Sequence, residues 1–177
     1  GVPNMSDGLP LAIDRQRKTI RVRSHRDGAE TEESYDKLVL ATGSVPLDLK
    51  LPGLDLPGVL PLWTFEDMDR IAKRLDAGAK RVLVVGGGFV GLELAESLRH
   101  RGLDVTLVEM ARQLLPTLDP EMSSLLTHEL RQAGIAVELG TTVTGFTPAA
   151  GGGVQAKVKD GRSWSVDLVA LCVGVKP

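Results

Sequence analysis

The chain has 177 residues, 42% hydrophobic and 25% charged, enough for one domain with a real core and typical of a globular protein. Its formal net charge is −2 with no basic cluster or tail, which argues against nucleic acid or an anionic membrane as a partner. Its longest uncharged apolar stretch, 82–92, is broken by glycines and is too short to span a bilayer. A single cysteine excludes an internal disulfide framework or a CxxC pair and suits a reducing cytoplasm.

The first ten residues lack a start pattern and read as the middle of a larger protein. Residues 19–23 predict a strand, 26–28 a turn, and a polar return leads to Tyr35. Leu38–Ala41 reads as a short buried strand that stops at Thr42-Gly43. Residues 44–61 carry four prolines and two glycines and read as a linker. Thr64 with Asp67 opens a helix in the manner of a capping box, with Gly78 as its stop. A strand at 82–85 comes next, then a helix over about 90–101 ended by Gly102, then a strand at 105–109. Asp119-Pro120 supplies an N-cap and an N1 proline for a helix ending at Gly134. A strand at 135–139 follows. Three short alternating strands, near 142–148, 153–159 and 163–167, then form a meander, with a turn at Asp160-Gly161. The apolar run 168–173 is a last strand ending at Gly174.

This order predicts an α/β, Rossmann-like fold. Its parallel sheet has helices on one face and an antiparallel β-meander on the other. In such sheets the ligand lies outside the strand C-termini.

Chemistry concentrates at Val82-Leu83-Val84-Val85-Gly86-Gly87-Gly88-Phe89-Val90-Gly91 and at Glu109, 18 residues after Gly91. Strand, glycine turn, helix and terminal acid in this order form a dinucleotide-binding fingerprint. Gly86 permits the tight turn. Gly88 lets the backbone approach a pyrophosphate. Gly91 lets the helix pack on the strand. The helix N-terminus offers free N–H groups and partial positive charge to the phosphates. Glu109 can accept hydrogen bonds from an adenosine ribose, and its charge would repel a 2′-phosphate, which favours NADH. Arg112 is close enough in sequence to oppose that preference, or is a plain surface arginine.

Glu93 reads as an acid in the first helical turn, favoured there by the dipole. Phe89 is a core aromatic at a helix start or part of the site. Cys172 lies inside an apolar strand and reads as an inert buried thiol. His25, His100 and His128 have no metal-ligand spacing or triad partner and read as surface residues. Trp63 and Trp164 read as packing. Met110, Met122 and the leucines of 124–130 read as core or interface.

Three segments resemble the pyridine nucleotide-disulfide oxidoreductases, flavoproteins with two dinucleotide-binding domains. Tyr35–Ser44, with Ala41-Thr42-Gly43, resembles the segment where the chain leaves the FAD domain. Residues 86–93 resemble the NAD fingerprint. Asp167–Pro177 resembles the strand returning to the FAD domain. Around Leu107–Met110 and Leu118–Met122 the text is most similar to the coenzyme A-disulfide reductase, NADH oxidase and persulfide reductase branch.

The resemblance implies a C-terminal piece of an FAD domain plus linker at 1–52 and an NAD-binding domain at 53–177. The parent would be a homodimer passing hydride from NADH to FAD and on to a disulfide, persulfide or oxygen. It implies cofactor contacts from Thr42, Gly43, Gly86, Gly87, Gly88, Phe89, Val90, Gly91, Glu93, Glu109, Met110 and Gly174. Phe89 would gate the flavin face, and Glu93 would lie near the nicotinamide amide. The family's first GxGxxG, its redox cysteine, its later flavin-binding segment and its dimerisation domain have no counterpart here. The chain therefore reads as an excised piece that does not turn over alone. Rival readings are a ferredoxin or rubredoxin reductase and a non-catalytic dinucleotide-binding module. A methyltransferase also places an acid after a Gly-rich turn, but Gly91, the meander and the ATG segment disfavour it.

Overall fold

The computed structural model describes residues 8–176. The chain divides into two compact units, Gly1–Thr42 and Gly43–Pro177. Residues 1–7 of the stretch without a start pattern, and Pro177, lie outside the described residues.

The first unit is an antiparallel sheet of β1 (Gly8–Asp14), β2 (Thr19–Ser24) and β3 (Glu30–Ser34). The predicted strand is β2, with Ile20 and Val22 buried. β1 was not anticipated, because Pro10 interrupts it and its apolar residues do not alternate with polar ones; its register shifts between Pro10 and Ala12. The expected strand at Leu38–Ala41 does not form, and Val39 and Leu40 are exposed. A strand apolar on both faces needs neighbours on both edges to satisfy its backbone, and no strand among the described residues pairs with it.

The second unit is built on a five-stranded parallel sheet. Its strands are β5 (Val59–Pro61), β6 (Arg81–Val85), β7 (Asp104–Val108), β8 (Ala136–Glu138) and β12 (Leu168–Leu171), in the order β5-β12-β6-β7-β8. The expected linker at 44–61 thus contributes an edge strand, β5, whose proline is tolerated because one side of an edge strand needs no partner. It also contributes β4 (Val45–Pro46), which pairs antiparallel with β13 (Val175–Lys176).

Alternation along the parallel strands sorts the core into two layers. Val82, Val84, Val105, Leu107, Leu168 and Ala170 pack with Ile71 of α1 (Phe65–Asp76), Ala95 and Leu98 of α2 (Phe89–His100) and Leu130 of α3 (Pro120–Gln132). Leu83, Val85, Val108 and Val169 point the other way. They meet Val143 and Phe146 of β9 (Val143–Pro148), Val154 and Ala156 of β10 (Val154–Val158) and Val166 of β11 (Ser163–Val166). Helices therefore cover one face and the meander the other, as expected from β-strands apolar on both sides.

Local signals set the helix ends. Thr64 and Asp67 form a reciprocal capping box on α1, and Asp67 also accepts from Trp63 N–H. Pro120 stands at the start of α3, although the Asp119 side chain makes no capping bond. Met110, Met122 and Leu125 are exposed rather than core, while Leu130 is buried. Trp63 is half-exposed; Trp164 packs partly on the meander layer under the Arg162 guanidinium. His25, His100 and His128 are all exposed. Among the described residues no helix is long and apolar enough to cross a membrane.

Asp167 ties the start of the sheet together. Its carboxylate accepts from the backbone N–H of Lys80 and Arg81, 2.9 Å each, and from the Arg81 guanidinium at 2.7 Å. The Arg81 hydrogen bond in particular holds the Asp167 carboxyl at about 2, below its ordinary 3.8. A depressed folded pKa stabilises the fold above the unfolded value and ceases to do so as pH falls through the folded one. Asp167→Asn should cost about 1–2 kcal/mol at neutral pH. In urea denaturation, the difference from wild type should shrink between pH 4 and pH 2. A difference that stays constant over that range would show that ionised Asp167 does not carry it.

Candidate dinucleotide-binding site

The parallel strands end in one row: Pro61, Leu171, Val85, Val108 and Glu138 are linked by register. Their following loops emerge at one edge of the sheet and bring residues 86–88, 109–115 and 172–174 to it.

Each fingerprint glycine has a separate reason to lack a side chain. Gly86 has φ +113°, and a Cβ there would lie 2.3 Å from the Cys172 carbonyl oxygen. A Cβ on Gly91 would lie 2.0 Å from the Gly86 carbonyl oxygen, so α2 seats directly on the turn. A Cβ on Gly87 would meet Leu114 Cδ2 at 2.6 Å and the Glu109 side chain at 3.1 Å. Gly88 differs: a Cβ there would meet nothing within 4 Å. The space beside Gly88 is open toward solvent at the N-terminus of α2, of which Gly88 is the N-cap with no side-chain capping bond. The first N–H groups of a helix have no partner within it. No acid occupies the first turn of α2. Open space, unpartnered donors and the positive end of the helix dipole together fit a pyrophosphate.

Glu109 stands directly after β7, half-buried. Its Oε2 accepts from Gly87 N–H at 2.6 Å and its Oε1 from Ala111 N–H at 2.7 Å. Each carboxylate oxygen keeps a lone pair for a ribose hydroxyl. Met110 and Arg112 are exposed on the same loop.

Phe89 is the first helical residue and is 67% exposed, which rules out the core-aromatic reading. Val90 is also exposed. Glu93 lies beyond the first turn of α2, a correction to the dipole reading. It stands four residues after Phe89, so both share one exposed helix face. Gly174 has φ +90°, and its carbonyl accepts from Leu47 N–H at 3.1 Å. Thr42 closes the first unit and Gly43 opens the second. The Cys172 thiol is pushed up to about 12 by burial, which makes it a poor nucleophile.

Three participants were missed in sequence: Ala111 and Leu115, through their backbone N–H groups, and buried Leu114. Backbone donors leave no residue-type signal. The apolar pair Leu114-Leu115 inside a polar loop was a usable hint.

The doubly covered parallel sheet, the glycine turn feeding a helix and the acid after the next strand define a Rossmann-type dinucleotide-binding domain. Residues 4–177 match the pyridine nucleotide-disulphide oxidoreductase family, and the chain belongs to it. It is 43% identical over 86% of its length to an NADH oxidase of Methanocaldococcus jannaschii, covering 34% of that protein. It is 39% identical over 93% of its length to the ferredoxin–NAD(+) reductase subunit of a benzene 1,2-dioxygenase system of Pseudomonas putida, covering 39% of that protein. It superposes on a water-forming NADH oxidase from Lactobacillus brevis, solved bound to NADH. The TM-score is 0.75 at 35% identity, over 96% of this chain and 37% of that one. The chain thus spans about a third of the length of the relatives it matches.

Gly88 and Gly91 separate binding from folding. Gly88 has φ −82° and ψ −178°, which any residue adopts. Gly88→Ala should leave stability within about 0.5 kcal/mol and lower NADH affinity at least about tenfold, because the methyl fills the pyrophosphate approach. Gly91→Ala should destabilise the fold by about 1–3 kcal/mol. Thermal unfolding and calorimetric titration of the two variants check both outcomes.

Proposed function

We propose that this chain is the NADH-binding portion of a flavoprotein oxidoreductase. The parent passes hydride from NADH to FAD and on to a disulfide, persulfide or oxygen. The observation that carries this reading is the open space at Gly88 beside a helix N-terminus, with the Glu109 carboxylate after the next strand. The names of the NADH oxidase relatives support it. The nicotinamide and flavin supply the hydride chemistry, and the protein supplies binding, orientation and electrostatics.

The residue roles follow from position. Gly86, Gly87, Gly88, Val90 and Gly91 present the turn and helix N-terminus to the pyrophosphate. Glu109 takes the adenosine ribose, with Met110 beside it. Phe89 and Glu93, on one exposed face of α2, border the nicotinamide and the flavin edge. Gly174 lies at the same sheet edge, and Thr42 and Gly43 serve the FAD side. We assign 1–52 to the FAD domain and its linker and 53–177 to the NAD domain. The parent is a cytoplasmic homodimer, and the chain alone does not turn over. The benzene dioxygenase relative favours one second reading, a ferredoxin reductase with the same NADH site and a different acceptor.

Calorimetric titration with NADH and with NADPH tests the reading. The Glu109 carboxylate should make NADH the tighter ligand by about tenfold or more, because a 2′-phosphate would meet it directly. Tighter NADPH binding would assign the preference to Arg112. Absence of binding by both would overturn the site in this chain, and the same titration on the full-length parent would show whether the FAD domain is needed.

A further inference from the structure

Two consecutive peptide planes at the glycine turn are held, the first on both sides and the second through its carbonyl. The peptide joining Gly86 and Gly87 directs its carbonyl at α2, where it leaves no room for a Cβ on Gly91. Its N–H points the opposite way and donates to Glu109 Oε2 at 2.6 Å. The next peptide directs the Gly87 carbonyl at Leu115 N–H, 3.1 Å away. No peptide bond among the described residues is cis. In a trans peptide N–H and C=O point in opposite directions. The Gly88 N–H is therefore turned away from the 114–115 loop.

The other carboxylate oxygen of Glu109 is also fixed, by Ala111 N–H at 2.7 Å. Its own backbone is tied on both sides, with Glu109 N–H donating to Glu138 O and Thr141 N–H donating to Glu109 O, 2.9 Å each. The carboxylate is thus a rigid strut between β7 and the turn after β6, standing on a backbone anchored to β8. A hydrogen bond from an amide to a carboxylate is stronger than one between neutral groups.

We propose that Glu109 is a positioning residue for the pyrophosphate as well as a partner for the ribose. Its carboxylate clamps the Gly87 N–H and so fixes the turn in the form that presents Gly88 N–H and the α2 N-terminus to phosphate. This rests on reading the site as dinucleotide-binding. It makes a prediction opposite in sign to simple electrostatics. If Glu109 acted by charge alone, removing it would tighten the binding of any anion nearby. If it is a clamp, removing it weakens pyrophosphate binding, with or without a ribose.

Glu109→Gln is the variant of choice, since it keeps the side-chain volume. Its amide NH₂ cannot accept, so one of the two backbone N–H bonds must be lost. The probes are inorganic pyrophosphate and NADPH, by calorimetry on the 177-residue chain, and Gly87 amide exchange by NMR without ligand. The clamp requires both probes to bind about tenfold more weakly in Glu109→Gln, and the Gly87 amide to exchange at least about tenfold faster. Unchanged or tighter pyrophosphate binding, or a Gly87 amide that exchanges freely in the wild type, overturns it. If the wild type binds neither NADH nor pyrophosphate, the dinucleotide reading fails. The Gly87 exchange rates then decide the clamp alone.

Discussion

The second unit depends on how closely α2 can approach the end of β6. The Gly86 carbonyl lies where a Cβ on Gly91 would be, and the Cys172 carbonyl lies where a Cβ on Gly86 would be. Three backbone segments, from β6, α2 and the end of β12, therefore converge with no side chain between them. That closeness lets a short apolar helix cover Val82, Val84, Val105 and Leu107 without a gap. It also leaves the helix N-terminus at the sheet edge with its first donors unused. Neighbouring glycines of one motif thus stand in different surroundings. Gly86 and Gly91 are required by packing, and Gly88 faces the open space where the proposed pyrophosphate would enter.

Legibility in the sequence followed the range of the interactions. The three helices, the β6 strand and the glycine turn were readable because caps, periodicity and turn residues act within a few positions. The parallel strands were readable as apolar runs because both faces are covered. Leu38–Ala41 was misread for the converse reason. Its composition is that of a buried strand, but a strand exists only with neighbours, and composition does not supply them. β5 was hidden by prolines that an edge strand tolerates. β1 was hidden by Pro10 and by the absence of apolar–polar alternation: Leu9, Leu11, Ala12 and Ile13 are all apolar, yet most of the strand faces solvent.

The site was legible by residue type and not by contact. Glu109 was read as a ribose ligand from its place after β7. Its bonds to the Gly87 and Ala111 amides involve backbone groups common to every residue, so no sequence pattern announces them. Glu93 was placed in the first turn because the helix was read from about Val90; it begins one residue earlier, at Phe89, which puts Glu93 just past that turn. Phe89 illustrates a further limit: an aromatic at a helix start is apolar whether it is buried or, as here, presented to solvent.

The pairing of β4 with β13 carries a topological consequence. The backbone entering the second unit and the backbone leaving it run side by side as a two-stranded stem. The unit therefore occupies the place of one long hairpin loop between two adjacent backbone positions. The entropic cost of closing such a loop grows only slowly with the number of residues it encloses. The nucleotide-binding unit is, in this sense, a cassette.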